Sequence, residues 1–148
     1  IALVRVERNS YGKDFDRDTY TCEVRDVLID HEIDLIAMAG FGTILNKPIY
    51  DDFSNRIINT HPSLLPSFPG WHAVEEALEY GVKVTGCTVH IATEEVDAGP
   101  ILAQESISVL KDDTKETLHE RIKKVERQLY VDTLNKIIAT NGQLERDQ

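Results

Sequence analysis

Short apolar runs and two-residue alternations recur along the chain, and they predict where its strands lie. Five segments have this pattern: residues 1–6, 33–39, 56–61, 82–92 and 101–109. Segment 33–39, "IDLIAMA", is almost entirely apolar and runs into a Gly-Phe-Gly turn, which is typical of a parallel strand covered on both faces. Segment 56–61 is followed by Pro62, which ends the strand because proline has no amide hydrogen for the ladder.

Apolar residues at three- and four-residue steps predict helices between and after these strands. The first helix is capped by Asp16 or Asp18, and one of its faces carries Tyr20, Val24, Val27, Leu28 and His31. A helical turn is expected within residues 43–53, and a further helix over residues 71–80 ends at Gly81, where a left-handed residue is needed.

The last helix is the clearest element of the sequence. The sequence Asp113-Thr114-Lys115-Glu116 resembles a capping box, and Asn141-Gly142 is expected to end the helix. Its apolar stripe consists of Leu118, Ile122, Val125, Leu129, Leu134 and Ile138. Strands that alternate with helices predict an α/β fold with a partly parallel sheet, and ligands are expected beyond the carboxyl ends of the strands.

Composition and charge limit the classes of function. The 148 residues fit one domain, and 41% apolar with 28% charged residues is typical of a globular protein. The formal net charge of −10 disfavours nucleic acid as a partner, because such binding depends on clustered Lys and Arg. Small anionic ligands remain possible, since a local pocket of donors can bind an anion against the net field.

The positions of the cysteines and the lengths of the apolar runs disfavour further classes of protein. Cys22 and Cys87 are far apart and form no CxxC pattern, so neither a disulfide framework nor a metal site is expected. No apolar run approaches the ~20 residues of a membrane span, and no leader opens the chain, so no membrane partner and a cytoplasmic location are expected.

The stretch "NTHPSLLPSFPG" places two hydrogen-bonding side chains at strand spacing. Side chains two residues apart share one face of a strand, so Asn59 and His61 are expected to project together and to donate to a developing oxyanion. The alternative is that both are ordinary polar residues where a strand becomes a loop. Pro62, Pro66 and Pro69 favour the first interpretation, because a loop with three fixed φ angles is preorganised.

A carboxylate partner is needed for His61 to be charged near neutral pH, and Asp97 is the candidate. Asp97 follows a strand, and the Ala-Gly-Pro after it is expected to let the backbone approach a ligand closely. The remaining histidines, His31, His72, His90 and His119, lack metal-ligand spacing. His90 is expected to support the site from a strand, whereas His31 and His119 are expected on helix surfaces. "Gly40-Phe41-Gly42" lacks the third glycine of a dinucleotide site.

Residues 59–104, "NTHPSLLPSFPGWHAVEEALEYGVKVTGCTVHIATEEVDAGPILAQ", strongly resemble the phosphoribosylglycinamide formyltransferase family, and the similarity extends from about residue 15 to residue 130 without gaps. The resemblance implies a Rossmann-like α/β formyltransferase fold with a mixed, mostly parallel sheet and flanking helices. It also implies transfer of a formyl group from 10-formyltetrahydrofolate to the amine of glycinamide ribonucleotide in de novo purine biosynthesis. The family's catalytic trio matches Asn59, His61 and Asp97.

The resemblance further implies the remaining site residues. Folate contacts are expected from Arg17, Gly42, Thr43, Ile44, Leu45, Asn59, Thr93, Glu94, Glu95, Val96 and Asp97. Ribonucleotide contacts are expected from Pro62, Lys123 and Glu126, and support of the trio from His72 and His90. The implied partners are these two small molecules, and no metal, nucleic acid or membrane is expected. The protein is expected to be a monomer or a homodimer.

Two departures from the family pattern affect these expectations. Gly42-Thr43 is less bulky than the usual residues of that loop, and the family's opening strand, phosphate loop and helix have no counterpart in the chain. The chain is therefore expected to be the carboxyl-terminal portion of the enzyme, as a single domain over residues 1–148. The alternatives are formyltetrahydrofolate hydrolase, which usually has His in place of Pro62, methionyl-tRNA formyltransferase, and a non-catalytic folate-binding remnant.

Overall fold

A computed structural model of the chain describes residues 1–140. It contains a four-stranded sheet in the order β1-β2-β3-β4, with β1 at Ile36–Ala37, β2 at Ile57–His61, β3 at Val84–Ile91 and β4 at Ile101–Ser108. The helices are α1 at Arg17–Asp30, α2 at Lys47–Asp52, α3 at Ala73–Tyr80 and α4 at Lys115–Ala139. A short 3₁₀ turn, Gly12–Asp14, precedes α1.

The predicted mixed α/β architecture is confirmed, but the expected excess of parallel strands is not found in the described part of the chain. Only β1 and β2 pair in parallel, whereas β2 with β3 and β3 with β4 pair antiparallel. The connection between β3 and β4 is only residues 92–100, and so short a connection suits antiparallel neighbours, because parallel ones need a crossover of a dozen or more residues.

Two predicted strands differ in the structure. Residues 1–6 form no strand, and Ile1 and Leu3 are fully exposed, because no segment within residues 1–140 pairs with them. The strand expected over residues 33–39 is reduced to the two residues of β1, and it is half-exposed instead of covered on both faces. Extended backbone without a paired neighbour has no ladder of hydrogen bonds to hold it as a strand.

The helix ends follow the sequence signals closely. The Asp16 carboxylate caps α1 by accepting a hydrogen bond from the Thr19 amide at 3.0 Å, and Gly81 ends α3 at φ 78°. Thr114 caps α4 in a reciprocal capping box with Thr117. The predicted end of this helix at Asn141-Gly142 lies outside the described residues.

The apolar stripe of α4 is confirmed except at its end. Leu118 and Ile122 are fully buried, but Ile138 is 64% exposed and Ile137 is buried in its place. With 3.6 residues per turn, position 137 lies closer than position 138 to the face that carries Ile122. Near the end of α4, the residue that faces the core is therefore one position earlier in the sequence than the expected Ile138.

The hydrophobic core lies on both faces of β2. Ile57 packs on one face with Leu45, Ile49 and Phe53, the residues that α2 and its flanks contribute. Ile58 points to the opposite face and packs with a second group, which consists of Val89, Ile91 and Ile137. Because β2 is fixed from both sides, the residues at its carboxyl end, 59–61, have a defined position.

The hydroxyl of Tyr130 attaches α4 to the sheet edge. Its oxygen lies 3.0 Å from the Met38 carbonyl and 2.8 Å from the Ile58 carbonyl. Burial raises the pKa of the Tyr130 phenol, so the hydroxyl stays a donor at all ordinary pH values. Among the helices of residues 1–140, none combines the length and apolarity required to cross a membrane.

Candidate active site

A cleft of about 430 Å³ opens at the carboxyl end of β2. Its walls are formed by the loop before α2, the end of β2, the loop after β3 and one face of α4. The position agrees with the expectation that ligands bind beyond the carboxyl ends of strands.

His61 lies in this cleft and is only 4% exposed. Its Nε2 is 2.8 Å from the Phe68 carbonyl oxygen, and its Nδ1 is 3.3 Å from Oδ2 of Asp97. A carbonyl and a carboxylate only accept hydrogen bonds, so a ring with hydrogen on both nitrogens satisfies both contacts. The geometry therefore suits a cationic imidazole at His61.

Asp97 joins three parts of the cleft. Its Oδ2 accepts a hydrogen bond from the Gly70 amide at 2.8 Å and faces His61, while its Oδ1 is 3.6 Å from Nε2 of His90. The side chain is 8% exposed, and the backbone adopts a left-handed φ of 56°, which Asp tolerates better than most residues. The structure thus brings together Asn59, His61 and Asp97 around one cleft.

The imidazole of His90 faces the Asn59 amide. Burial lowers the pKa of His90, and this effect outweighs the opposite influence of Asp97. Its Nδ1 donates to the Ile91 carbonyl at 3.0 Å, which leaves Nε2 to accept from Nδ2 of Asn59 at 3.4 Å. His90 is therefore placed to orient Asn59.

Gly99, two residues after Asp97, allows a close approach between backbone segments. A Cβ at Gly99 would lie 1.8 Å from the Ile91 carbonyl oxygen, so only glycine fits where the loop passes the end of β3. The close approach that Gly99 permits within residues 1–140 is to the end of β3. The glycine still matters for the site, since it determines how near the Asp97 loop lies to β3.

A buried hydroxyl anchors the proline loop, residues 62–70, to the sheet. Thr88 Oγ1 donates to the Ser63 carbonyl at 2.7 Å and accepts from the Leu65 amide at 3.0 Å. Gln104 donates to the same hydroxyl and to the Leu65 carbonyl, each at 2.9 Å. Within the loop, Ser63 donates to the Ser67 carbonyl at 2.5 Å. This network fixes the loop that carries the Phe68 and Gly70 contacts.

One face of α4 supplies His119, Lys123 and Glu126 to the cleft. Burial raises the pKa of Glu126, although a hydrogen bond from Thr60 and the charges of His61, Lys123 and Arg127 act in the opposite direction. Burial also lowers the pKa of His119, with Lys123 adding to the effect. The interpretation of His119 as a helix-surface residue is wrong, because the structure places it half-buried in the cleft wall.

A Glu126→Gln variant is expected to gain stability relative to the wild type as pH rises. Because the folded-state pKa of Glu126 lies above its ordinary value of 4.5, ionisation of the carboxyl disfavours the folded state. The difference in free energy of unfolding should be constant below pH 4.5, grow as pH rises from 4.5 to the folded-state pKa, and level off above it. Urea denaturation across this range measures it.

The matched control for this prediction is Glu79→Gln, an exposed carboxylate on α3. Its stability curve should run parallel to that of the wild type at all pH values. A Glu126→Gln curve that also stays parallel would contradict the assignment of burial as the dominant influence on Glu126.

Most of the site residues expected from the sequence line the cleft. Beside the trio, they are Gly42, Thr43, Ile44, Leu45, Pro62, His90, Thr93, Val96, Lys123 and Glu126. Thr43 also accepts a hydrogen bond from Arg8 at 3.3 Å. Arg8 was not among the residues predicted from the sequence.

Four expected residues lie outside the cleft walls. Arg17 is the exposed first residue of α1, and Glu94 and Glu95 lie exposed in the turn after β3. The His72 side chain is 71% exposed, and its Nδ1 pairs with Glu75 at 2.6 Å. Residues at the start of a helix or in a tight turn project to solvent unless another element covers them.

Several lining residues were not predicted: Met38, Phe41, Tyr50, Thr60, Gly70, Trp71 and His119. A period-3.6 count from Lys123 and Glu126 could have found His119, which lies one turn before Lys123. Within residues 1–140, no group of three or more His, Cys, Asp or Glu side chains is arranged to hold a metal ion.

Residues 5–134 of the sequence match the family described as formyl transferase. The chain belongs to the formyl transferase family. A phosphoribosylglycinamide formyltransferase of Mycobacterium tuberculosis is 49% identical over 126 residues, which are 85% of this chain and 58% of that protein. The chain therefore spans less than two thirds of this formyl transferase relative.

Solved structures of formyl transferase relatives agree with this fold. A phosphoribosylglycinamide formyltransferase from Bacillus halodurans superposes with a TM-score of 0.79 at 41% identity, over 86% of this chain and 66% of that one. A formyltetrahydrofolate deformylase from Pseudomonas syringae has a TM-score of 0.76 at 33% identity, over 80% of this chain and 40% of that one.

Proposed function

We propose that the protein transfers a formyl group from 10-formyltetrahydrofolate to the amine of glycinamide ribonucleotide, a step of de novo purine biosynthesis. The observation that carries the proposal is the grouping of Asn59, His61 and Asp97 on one cleft in a member of the formyl transferase family. We take residues 1–148 as part of a single formyltransferase domain with two small-molecule substrates.

In the proposed reaction the neutral amine attacks the formyl carbon, and the carbonyl oxygen becomes an oxyanion. The bond from the formyl carbon to folate N10 then breaks, and a proton passes from the amine to N10. Asn59 suits the oxyanion because its amide has a second hydrogen beyond the one that faces His90. A fixed donor aimed at developing charge is among the largest contributions to catalysis.

His61 would supply the second, charged donor. Its Nε2 hydrogen is taken by the Phe68 carbonyl, so donation to the oxyanion requires that this hydrogen bond be exchanged for one to the substrate. Asp97 faces the other ring nitrogen, where a negative charge favours the imidazolium and a carboxylate can relay protons through water. The proline loop, which carries Phe68, would therefore adjust when substrate binds.

The remaining roles follow from the family resemblance and the cleft. Lys123, Glu126 and Pro62 would contact the ribonucleotide, with the Glu126 carboxylate suited to accept hydrogen bonds from ribose hydroxyls. The folate would lie against residues 42–45 and the loop that contains Thr93, Val96 and Asp97. Any contribution to folate binding from Arg17, Glu94 and Glu95 would come from outside the cleft, because these residues do not line it.

Water as the acceptor is the second candidate, because a deformylase is among the similar structures. Pro62 favours the amine as acceptor, since that position is usually His in the hydrolases. The decisive assay incubates the protein that carries this chain with 10-formyltetrahydrofolate, with and without glycinamide ribonucleotide. Mass spectrometry of the formylated ribonucleotide and enzymatic measurement of formate separate the products.

The expected product is formylated ribonucleotide, formed only when both substrates are present. Formate release that is independent of the ribonucleotide would assign the protein as a hydrolase instead. Folate binding with neither product would assign it as a non-catalytic folate-binding protein.

A further inference from the structure

Three large apolar side chains are exposed around the cleft. They are Phe41 at 41%, Trp71 at 70% and Val96 at 46% exposure, and all three line the same opening. The interior beneath them is polar, with Asn59, His61 and Asp97. An apolar rim over a few convergent polar groups is typical of a site for an organic ligand with one flat apolar part and one reacting polar part.

The backbone next to Trp71 is held in place by hydrogen bonds. It follows Gly70, whose amide donates to Asp97 at 2.8 Å, and it comes directly after the proline loop that Thr88 anchors to the sheet. The position of Trp71 is therefore coupled to the carboxylate that faces His61. Because 70% of its surface is exposed instead of packed in a core, packing within residues 1–140 does not account for a tryptophan at this position.

The indole of Trp71 lies beside position 42 of the loop before α2, which also lines the cleft. A Cβ at Gly42 would lie 3.6 Å from Cη2 and 3.9 Å from Cζ3 of Trp71, which is ordinary van der Waals contact. A larger side chain at position 42 would extend into the space that the indole occupies. The absence of a long side chain at position 42 therefore leaves room for the Trp71 indole at the mouth of the cleft.

We propose that Trp71 is a folate-positioning residue whose indole stacks on an aromatic ring of the folate co-substrate; the proposal rests on the function proposed above. Of the two substrates, only the folate has flat aromatic rings, since glycinamide ribonucleotide has none. Stacking between a flat heterocycle and an exposed indole supplies affinity without a specific donor pattern. Trp71 therefore selects for the folate and contributes nothing to ribonucleotide binding.

The test compares Trp71→Leu and Trp71→Phe with the wild type in steady-state kinetics with each substrate varied. Loss of one stacking contact should raise KM for 10-formyltetrahydrofolate by about tenfold in Trp71→Leu. The KM for glycinamide ribonucleotide and kcat should stay within about twofold, and Trp71→Phe should restore most of the folate affinity. The matched control is Ile138→Ala, an exposed apolar side chain on α4 outside the cleft.

A second readout does not depend on turnover. Trp71 is the single tryptophan of the chain, so titration with 5-formyltetrahydrofolate, corrected for absorbance, should quench a fluorescence component that Trp71→Leu lacks. An unchanged folate KM in an active Trp71→Leu variant would overturn the proposal, and so would an equal rise in the KM for the ribonucleotide. If the wild type transfers no formyl group, the proposed function fails, and the titration alone decides: quenching supports the role of Trp71 and its absence overturns it.

Discussion

An Asp97→Asn variant is expected to transfer formyl groups at least ~100-fold more slowly than the wild type, the scale at which loss of one acid-base or oxyanion-stabilising group acts. The substitution keeps an oxygen that can accept from the Gly70 amide, so the loop contact at 2.8 Å can persist. What it removes is the negative charge 3.3 Å from His61. Without that charge, the imidazolium that would stabilise the oxyanion is disfavoured.

The measurement is kcat with both substrates saturating, with circular dichroism to show that the variant is folded. Asp30→Asn, which neutralises an exposed aspartate at the end of α1, should turn over at the wild-type rate. A folded Asp97→Asn enzyme whose kcat stays within a few-fold of the wild type would remove Asp97 from the proposed mechanism.

A Thr88→Val variant is expected to lose about 3–5 kcal/mol of stability, because the substitution leaves buried hydrogen-bonding groups unpaired at a cost of ~1–3 kcal/mol each. The Thr88 side chain is fully buried and nearly isosteric with valine, so the change removes mainly the hydroxyl. The Ser63 carbonyl and the Leu65 amide lose their partner, and Gln104 loses one of two acceptors. The proline loop should therefore become detached from β3.

Urea denaturation measures the loss, and Thr88→Ser is the matched control. Serine keeps the hydroxyl and gives up one methyl group, so its cost should be only about 1 kcal/mol. Equal losses in the two variants would mean that packing of the methyl group, and not the hydrogen-bond network, accounts for the stability at this position.

The local features of the fold follow from the sequence, whereas the non-local ones depend on the folded chain. The helix caps at Asp16 and Thr114, the left-handed end at Gly81 and the strand that carries Asn59 and His61 were all predictable. Each depends on residues within a few positions of one another, whose preferred φ and ψ angles and side-chain period are properties of the chain itself.

Contacts between segments that are far apart in sequence could be identified only from the structure. The sequence suggested Asp97 as a partner of His61, but only the folded chain places the two at 3.3 Å and directs the second nitrogen of His61 to the Phe68 carbonyl. The positions of His119 and Trp71 in the cleft likewise depend on how α4 and the proline loop pack on the sheet.

The amino-acid pattern alone thus determined the elements, their ends and the residue types of the catalytic centre. The tertiary structure decided which strands are antiparallel, why residues 1–6 remain unpaired and which side chains meet in the cleft. The physical reason is that periodicity gives the face on which a side chain lies, whereas its neighbours across the fold are chosen by packing and hydrogen bonding among segments far apart in sequence.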